Sequence, residues 1–267
     1  MIRLSVRVKP EQAELVLAEL LELAPSGVQE SSLSDGSIEY AVYGAPGELP
    51  QLPDLEAAAG SALVQIRSEE IADDWAQRWR QFHRPLVLGD RLTVRPPWTP
   101  PARTALDVVI DPGQAFGTGA HATTRLCLEL MLEHATRGSF VDLGCGSGVL
   151  AIVAAKLGFS PVTGLDHDAA AVHATTENAR RNGVELEALR FDLRTDQVPD
   201  CDFVAANVLA WPLRAWAASQ RRLAPELILS GLMTEEADDV LSAFAARGFH
   251  ERSRRRRGEW TALALSS

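Results

Sequence analysis

The run Phe140-Val141-Asp142-Leu143, followed by glycines at 144, 146 and 148, constrains this chain more than any other segment. Its apolar residues read as a buried strand, and the spaced glycines read as a turn that feeds a helix. In an open α/β sheet such a loop lies beyond the carboxyl ends of the strands, where ligands bind. Glycine there lets a ligand come close to the backbone. From Ser139 onward the alternation repeats, with strands expected at Ser139–Leu143, Pro161–Asp166, Leu186–Phe191, Asp202–Asn207 and Glu226–Ser230. A helix over Glu235–Ala246 and a last strand over Glu259–Leu265 complete the pattern. Strands alternating with helices predict an α/β domain with a mostly parallel sheet covered on both faces.

The loop also narrows the ligand. A nicotinamide site wants G-x-G-x-x-G, whereas the third glycine here arrives one residue early, as G-x-G-x-G. That spacing favours a methyltransferase using S-adenosylmethionine over a dehydrogenase. Gly164-Leu165-Asp166 closes the next strand, where a carboxylate can accept both hydroxyl hydrogens of an adenosine ribose. Asp168 reads as the cap of a helix over Ala169–Asn182. For Asp192, just past the third strand, recognition of an adenine amine and plain solvation both remain open.

The fourth strand ends in Ala206-Asn207-Val208-Leu209-Ala210-Trp211-Pro212-Leu213. An asparagine over the cofactor can accept a hydrogen bond from an incoming amine and aim its lone pair at a methyl group. Positioning of that kind is the main lever on an in-line displacement. A plain turn asparagine is the alternative. Upstream, Asp111-Pro112-Gly113-Gln114-Ala115-Phe116-Gly117-Thr118-Gly119-Ala120-His121-Ala122-Thr123-Thr124 reads as a glycine-rich cover before an apolar helix over Arg125–Leu132. Phe116 is a candidate cofactor contact within it. Thr123 or Thr124 either caps that helix or bonds the cofactor's carboxylate. His121 is a candidate for assisting amine deprotonation, with a structural role as its alternative.

The first part of the chain reads separately, as 1–68. Ile2–Val8 alternates as a strand, Pro10–Leu23 has helical spacing, and Val28–Leu33 and Ser37–Tyr43 flank the turn Ser34-Asp35-Gly36. A short helix over Leu55–Ala59 and a strand over Ala62–Ile66 give β-α-β-β-α-β, the ferredoxin-like order. Residues 69–101 read as a connection. They hold a polar helix over Glu69–Phe82, with Trp75 and Trp79 as packing residues, then a strand over Arg91–Arg95 and the proline-rich stretch 96–101. Residues 102–267 form the cofactor domain.

Composition sets the class. Hydrophobic residues at 46% and charged residues at 23% are ordinary for a soluble globular protein. The start lacks a continuous apolar segment, and no later stretch is long enough to span a membrane. Cys127, Cys145 and Cys201 show no paired spacing, which argues for a reducing cytoplasm and against a disulfide framework or a metal site. A net charge of −10 disfavours nonspecific nucleic-acid binding and suits a basic partner. The arginines at 252 and 254–257 are expected to form a solvated turn before the final strand, with a phosphate or partner contact as the alternative.

Taken in order, these motifs resemble the ribosomal protein L11 methyltransferase (PrmA) family. The resemblance rests on Asp73-Asp74-Trp75 through Trp79 with Pro97-Trp98, Asp111-Pro112-Gly113 through Thr124, Asp142 through Gly148, and Asn207-Val208-Leu209-Ala210. Ser230-Gly231-Leu232 and Glu259-Trp260 match its closing segments. It implies a ferredoxin-like substrate-recognition domain ahead of a class I, Rossmann-like methyltransferase domain. It also implies cofactor contacts at Thr124, Gly144, Asp166 and Asn207, to which the reading of the loop adds Gly146. The implied activity is methyl transfer from S-adenosylmethionine to lysine amines, and to an α-amine, of ribosomal protein L11, by a monomer that needs neither a membrane nor direct nucleic-acid contact. Two departures stand out: Ala120-His121-Ala122 replaces the family's threonine-histidine-proline, and the amino-terminal region is shorter than in typical members. A related methyltransferase acting on another protein's lysine or on a small molecule has the same cofactor site. A noncatalytic cofactor-binding module and a nicotinamide oxidoreductase are the readings from other classes.

Overall fold

A computed structural model describes residues 2–10, 13, 16, 20, 29–33, 35–44, 59–70, 84–111, 121–134 and 138–267. The chain divides into two compact units, Met1–Phe82 and His83–Ser267. The helix expected over Glu69–Phe82 lies outside the described residues apart from Glu69 and Glu70, which are strand, and the cover residues 112–120, Phe116 among them, also lie outside.

In the first unit, β1 (Ile2–Val8), β2 (Gln29–Ser32), β3 (Ile38–Gly44) and β4 (Leu63–Glu70) form one sheet in the order β2-β3-β1-β4. Every neighbouring pair in it is antiparallel. Because side chains alternate along a strand, Leu4, Val6 and Val8 share one face of β1. They are buried with Tyr40 and with Ala13, Val16 and Leu20, which recur at helical spacing. The strand order is the one a β-α-β-β-α-β chain gives, while most of both connecting segments falls outside the described residues. β4 runs on to Glu70, beyond the expected end at Ile66, because β1 pairs with it along its whole length.

The second unit opens with β5 (Leu86–Leu88), β6 (Leu92–Arg95) and β7 (Leu106–Val109) in a small sheet. The stretch expected to connect two domains therefore sits inside this unit from residue 84 onward: Leu86, Leu88, Leu92 and Val94 are in its core. Arg95 is the reason the proline turn is ordered. Nearly buried, it makes a bidentate pair with Asp107, donating from Nε and Nη2 at 2.7 Å each, and its Nη1 donates to the Thr99 carbonyl at 2.6 Å.

The main sheet follows. Its elements are α1 (Ala122–Glu133), β8 (Phe140–Leu143), α2 (Val149–Lys156), β9 (Val162–Asp166), α3 (Ala169–Arg181), β10 (Glu187–Arg190), β11 (Phe203–Asn207), α4 (Ala210–Ser219), β12 (Glu226–Met233), α5 (Ala237–Ala245), β13 (His250–Arg257) and β14 (Trp260–Ser266). The strand order is β10-β9-β8-β11-β12-β14-β13. Pairing is parallel from β10 to β12 and antiparallel for β14 against β12 and β13. Alternation splits each central strand between two cores. Phe140, Phe203, Ala205 and Ile228 pack with α1 and α2, whereas Val141, Leu143, Val204, Ala206, Leu227 and Leu229 pack with α4 and α5.

The arginine run corrects an expectation: it is strand β13, and the turn lies at Gly258-Glu259, where Gly258 takes φ +58°. β13 is an edge strand, so its guanidinium groups reach past the sheet to carboxylates on either side. Arg254 pairs with Glu251 and Asp238 at 2.7 Å, and Arg255 with Glu133 at 2.6 Å. Charged side chains on an edge also discourage further strand pairing.

Candidate active site

The carboxyl ends of β8, β9, β10 and β11 open onto a cavity of about 600 Å³, whose walls include Gly144, Asp166, Asp192, Asn207, His121 and Thr123. Gly144, Gly146 and Gly148 all have positive φ, between 52° and 80°. Those angles fold the chain back so that Gly148 precedes α2 and the loop's amides stay near the sheet. The turn is anchored from below, where Asp142 accepts the Ala151 amide at 3.0 Å. Burial, reinforced by the charge of Asp166, pushes the Asp142 carboxyl up to about 7.

Asp166 ends β9 and is nearly buried. Its Oδ2 accepts the Gly146 amide at 2.9 Å and its Oδ1 accepts the Asp168 amide at 3.0 Å. His167 Nδ1 also lies 3.3 Å from Oδ1, and since a carboxylate has about four acceptor directions, Oδ2 keeps one for a ligand hydroxyl. Gly146 thus enters the site through Asp166, as a brace, and is not among the cavity's lining residues. Asp168 caps α3 by accepting the Ala170 amide at 2.8 Å, as its position predicts.

Asp192 lines the cavity but is closed by a neighbour: Arg194 donates from Nε at 2.9 Å and from Nη2 at 2.7 Å. These bonds hold its carboxyl down at about 2.

At the end of β11, Asn207 donates from Nδ2 to the Thr124 hydroxyl at 3.3 Å. Its Oδ1 is left as the acceptor. Thr124 is buried in the first turn of α1, so it acts on the site through Asn207. The expectation that Thr123 or Thr124 caps α1 is corrected. The helix starts at Ala122, which puts both threonines inside it, and His121 is the cap residue in an extended conformation. His121 Nδ1 accepts the Thr123 amide at 3.4 Å and lies 2.8 Å from its hydroxyl, and the ring meets Trp260 edge-on at 5.0 Å between centroids.

Two glycines make room for this arrangement. A Cβ on Gly144 would stand 2.6 Å from Val208 Cγ1, and one on Gly231 would stand 2.4 Å from the Val208 carbonyl oxygen. Val208 is therefore seated between two left-handed glycines, and Asn207 is held just before it. Gly231 interrupts the β12–β14 register between Leu229 and Leu232. Sequence reasoning did not place Gly231 in the site, although a lone glycine in an apolar strand signals a bulge or a close backbone approach. It also passed over Phe191, Leu193, Leu209, Trp211 and Trp260 as cavity wall.

Side chains of α3 tie the remaining parts together. Asn178 Nδ2 donates to the Ser147 carbonyl at 2.9 Å while its Oδ1 accepts the Asp111 amide at 3.0 Å, so one residue links the glycine loop to the start of the cover. Asn182 brackets the Val109 backbone at 2.8 and 2.6 Å. The three cysteines are free thiols, and burial raises Cys127 to about 12 and Cys201 to about 11, which leaves them unreactive. Among the described residues no group of three or more His, Cys, Asp or Glu could hold a metal, and no helix is long and apolar enough to cross a membrane.

An open parallel sheet finished by an antiparallel hairpin departs from the nicotinamide-binding fold at its far edge. Its glycine cradle, carboxylate acceptors and strand-end asparagine suit a cofactor with a ribose and a positive sulfonium. The chain is a class I, S-adenosylmethionine-dependent methyltransferase. It belongs to the ribosomal protein L11 methyltransferase (PrmA) family, which it matches over residues 48–267. It is 40% identical over 223 residues to the ribosomal protein L11 methyltransferase of Shewanella halifaxensis, covering 80% of this chain and 74% of that one. To the same-named protein of Pseudomonas putida it is 35% identical over 269 residues, covering 92% of each. A solved structure of ribosomal protein L11 methylase from Lactobacillus delbrueckii subsp. bulgaricus is similar with a TM-score of 0.60 at 27% identity, covering 69% of this chain and 98% of that one.

Proposed function

We propose that this enzyme methylates lysine ε-amines of ribosomal protein L11, with Asn207 positioning the amine. The observation that carries the reading is the Asn207–Thr124 hydrogen bond, which commits the amide nitrogen and leaves Oδ1 as the acceptor in the cavity. The names of the relatives support the substrate. We further propose that residues 1–68, within the first unit, recruit the protein substrate, and that the enzyme works as a cytoplasmic monomer without direct nucleic-acid contact.

Bound S-adenosylmethionine supplies an electrophilic methyl group on a positive sulfonium. Asp166 would accept the ribose hydroxyls, and Gly144 would let the cofactor lie against the loop backbone. Asp192 meets the adenine side while Arg194 keeps it ionised. Thr123 would complete the wall near the methionyl end. A lysine with a solution pKa of about 10.4 must lose a proton before it can react. The apolar wall beside Asn207, with Val208 and Pro212, disfavours its charged form, and the proton leaves to water at the cavity mouth. Asn207 Oδ1 then accepts one N–H of the neutral amine, turning its lone pair toward the methyl group. His121, whose Nδ1 serves the helix cap, orients Thr123 and gives the amine a polar neighbour. Such help is orientational and is worth on the order of 100-fold or more in rate.

The test combines substrate and residue. Labelled cofactor and a whole ribosomal extract should place label on L11 lysines. Asn207→Ala should lower kcat by roughly 100-fold while changing cofactor affinity little. Label on other proteins with none on L11 refutes the substrate. Equal losses in kcat and cofactor affinity, or an unchanged kcat, refute the role of Asn207.

A further inference from the structure

We infer that Leu209 and Trp211 form an apolar lip on which the methylene stem of the acceptor lysine lies, making Trp211 a determinant of affinity for the protein substrate. This rests on the lysine reading above. Leu209 and Trp211 are the most exposed large apolar side chains among the described residues, at 59% and 58%. Both line the catalytic cavity and both lie within four residues of Asn207.

Packing does not account for them. Helix α4 already buries a complete core face through Ala210, Leu213, Trp216 and Ala217. Trp211 instead shares the cavity-facing side with Pro212 and Ala215, at the spacing that puts residues of a helix on one side. The inner wall differs in kind: Leu143, Leu165 and Phe191 are closed off by the protein itself. The polar groups fit for the cofactor, Asp166 and the glycine loop, belong to the ends of β8 and β9. The lip belongs to β11 and α4, beside the amide that accepts the amine. What covers the lip is therefore the group that brings the amine.

Charge agrees with that occupant. Among the described residues the cavity is lined by the carboxylates of Asp166 and Asp192, by no lysine, and by one arginine, Arg194, already closed on Asp192. An entering ammonium meets no uncompensated guanidinium or ammonium there, and a lysine stem is apolar along its length, as Trp211 requires. Tryptophan also holds cations over its ring face, which favours the lysine head on its way in.

The experiment measures methylation of purified L11 by the full-length wild type, Trp211→Ala, Trp211→Phe and Leu209→Ala, with cofactor affinity by calorimetry and a thermal melt for each. Trp211→Ala should raise KM for L11 by about tenfold, as truncating an aromatic anchor does, with cofactor Kd held within about twofold. Trp211→Phe should restore most of the loss, and Leu209→Ala should give a smaller rise. An unchanged KM overturns the inference, as does a weakened cofactor Kd with KM unmoved, which would make Trp211 a cofactor wall. So does a loss that tracks melting temperature and is not recovered by phenylalanine. If the wild type methylates no lysine at all, the underlying reading fails, whereas a normal wild-type rate with an unmoved Trp211→Ala defeats this inference alone.

Discussion

Replacing Gly231 with alanine tests whether the strand ends hold Asn207 in register. The new Cβ would lie 2.4 Å from the Val208 carbonyl oxygen and 3.0 Å from its amide nitrogen. Both obstacles are backbone, so no side-chain rotation relieves them. Gly231 also has φ +82°, a conformation that costs a residue with a Cβ about 1–2 kcal/mol. The Val208 amide donates to the Ser230 carbonyl at 3.1 Å, so the two strands cannot part at Val208 without loosening that bond. An ordinary contact needs roughly 1 Å more room, and a displacement of about 1 Å at a catalytic group can cost on the order of 100-fold in rate. Gly231→Ala should therefore lower kcat by about that factor and, at about 2 kcal/mol of strain, lower the melting temperature by roughly 4–8 °C. Steady-state kinetics with saturating cofactor and a thermal melt read both numbers. A folded variant with wild-type kcat would refute the claim that Val208 and Asn207 depend on the absence of a side chain at 231.

Asp166→Ala should weaken cofactor binding by on the order of 100-fold, since two hydrogen bonds to an ionised acceptor are lost. Asp166→Asn should fall between, and calorimetry showing unchanged affinity would contradict the ribose assignment. Asp142 offers a pH signature. Burial raises its carboxyl to about 7, so the folded chain keeps a proton that an unfolded carboxylate releases near about 3.9. Stability is then highest below that lower value and declines as pH rises through the window up to about 7. Asp142→Asn should flatten this part of the melting curve and match or exceed the wild type at pH 8, because an amide oxygen can still accept the Ala151 amide. A variant that keeps the wild-type slope would show that other groups set it.

Local signals carried a large part of this protein. The strand ending in Asp166, the capping by Asp168 and the run into Asn207 each depend on neighbours in sequence, and each stands where the pattern predicts. Thr123 and Thr124 fit a cap because threonine commonly caps helices, whereas the folded chain uses His121, whose Nδ1 accepts the Thr123 amide. The arginine run was misread because five cations in a short span look like solvent-facing coil. Its partners Glu133 and Asp238 are distant in sequence, and without them a strand has no evident means of balancing its charge. The stretch around residues 96–101 looked like a linker because prolines break regular structure. Its anchor is Asp107, which follows it in the chain and reaches back across the small sheet.

By itself the sequence determined the class of chemistry, because a glycine loop, a following carboxylate and a strand-end asparagine are encoded in short runs whose spacing sets their geometry. Tertiary structure alone decided how these groups act on one another. It turned Asn207 onto Thr124 and seated Val208 between Gly144 and Gly231. Asn207 and Thr124 come from separate elements that only the folded sheet brings together. Their separation of 3.3 Å follows from where β11 ends relative to α1, which no local spacing specifies.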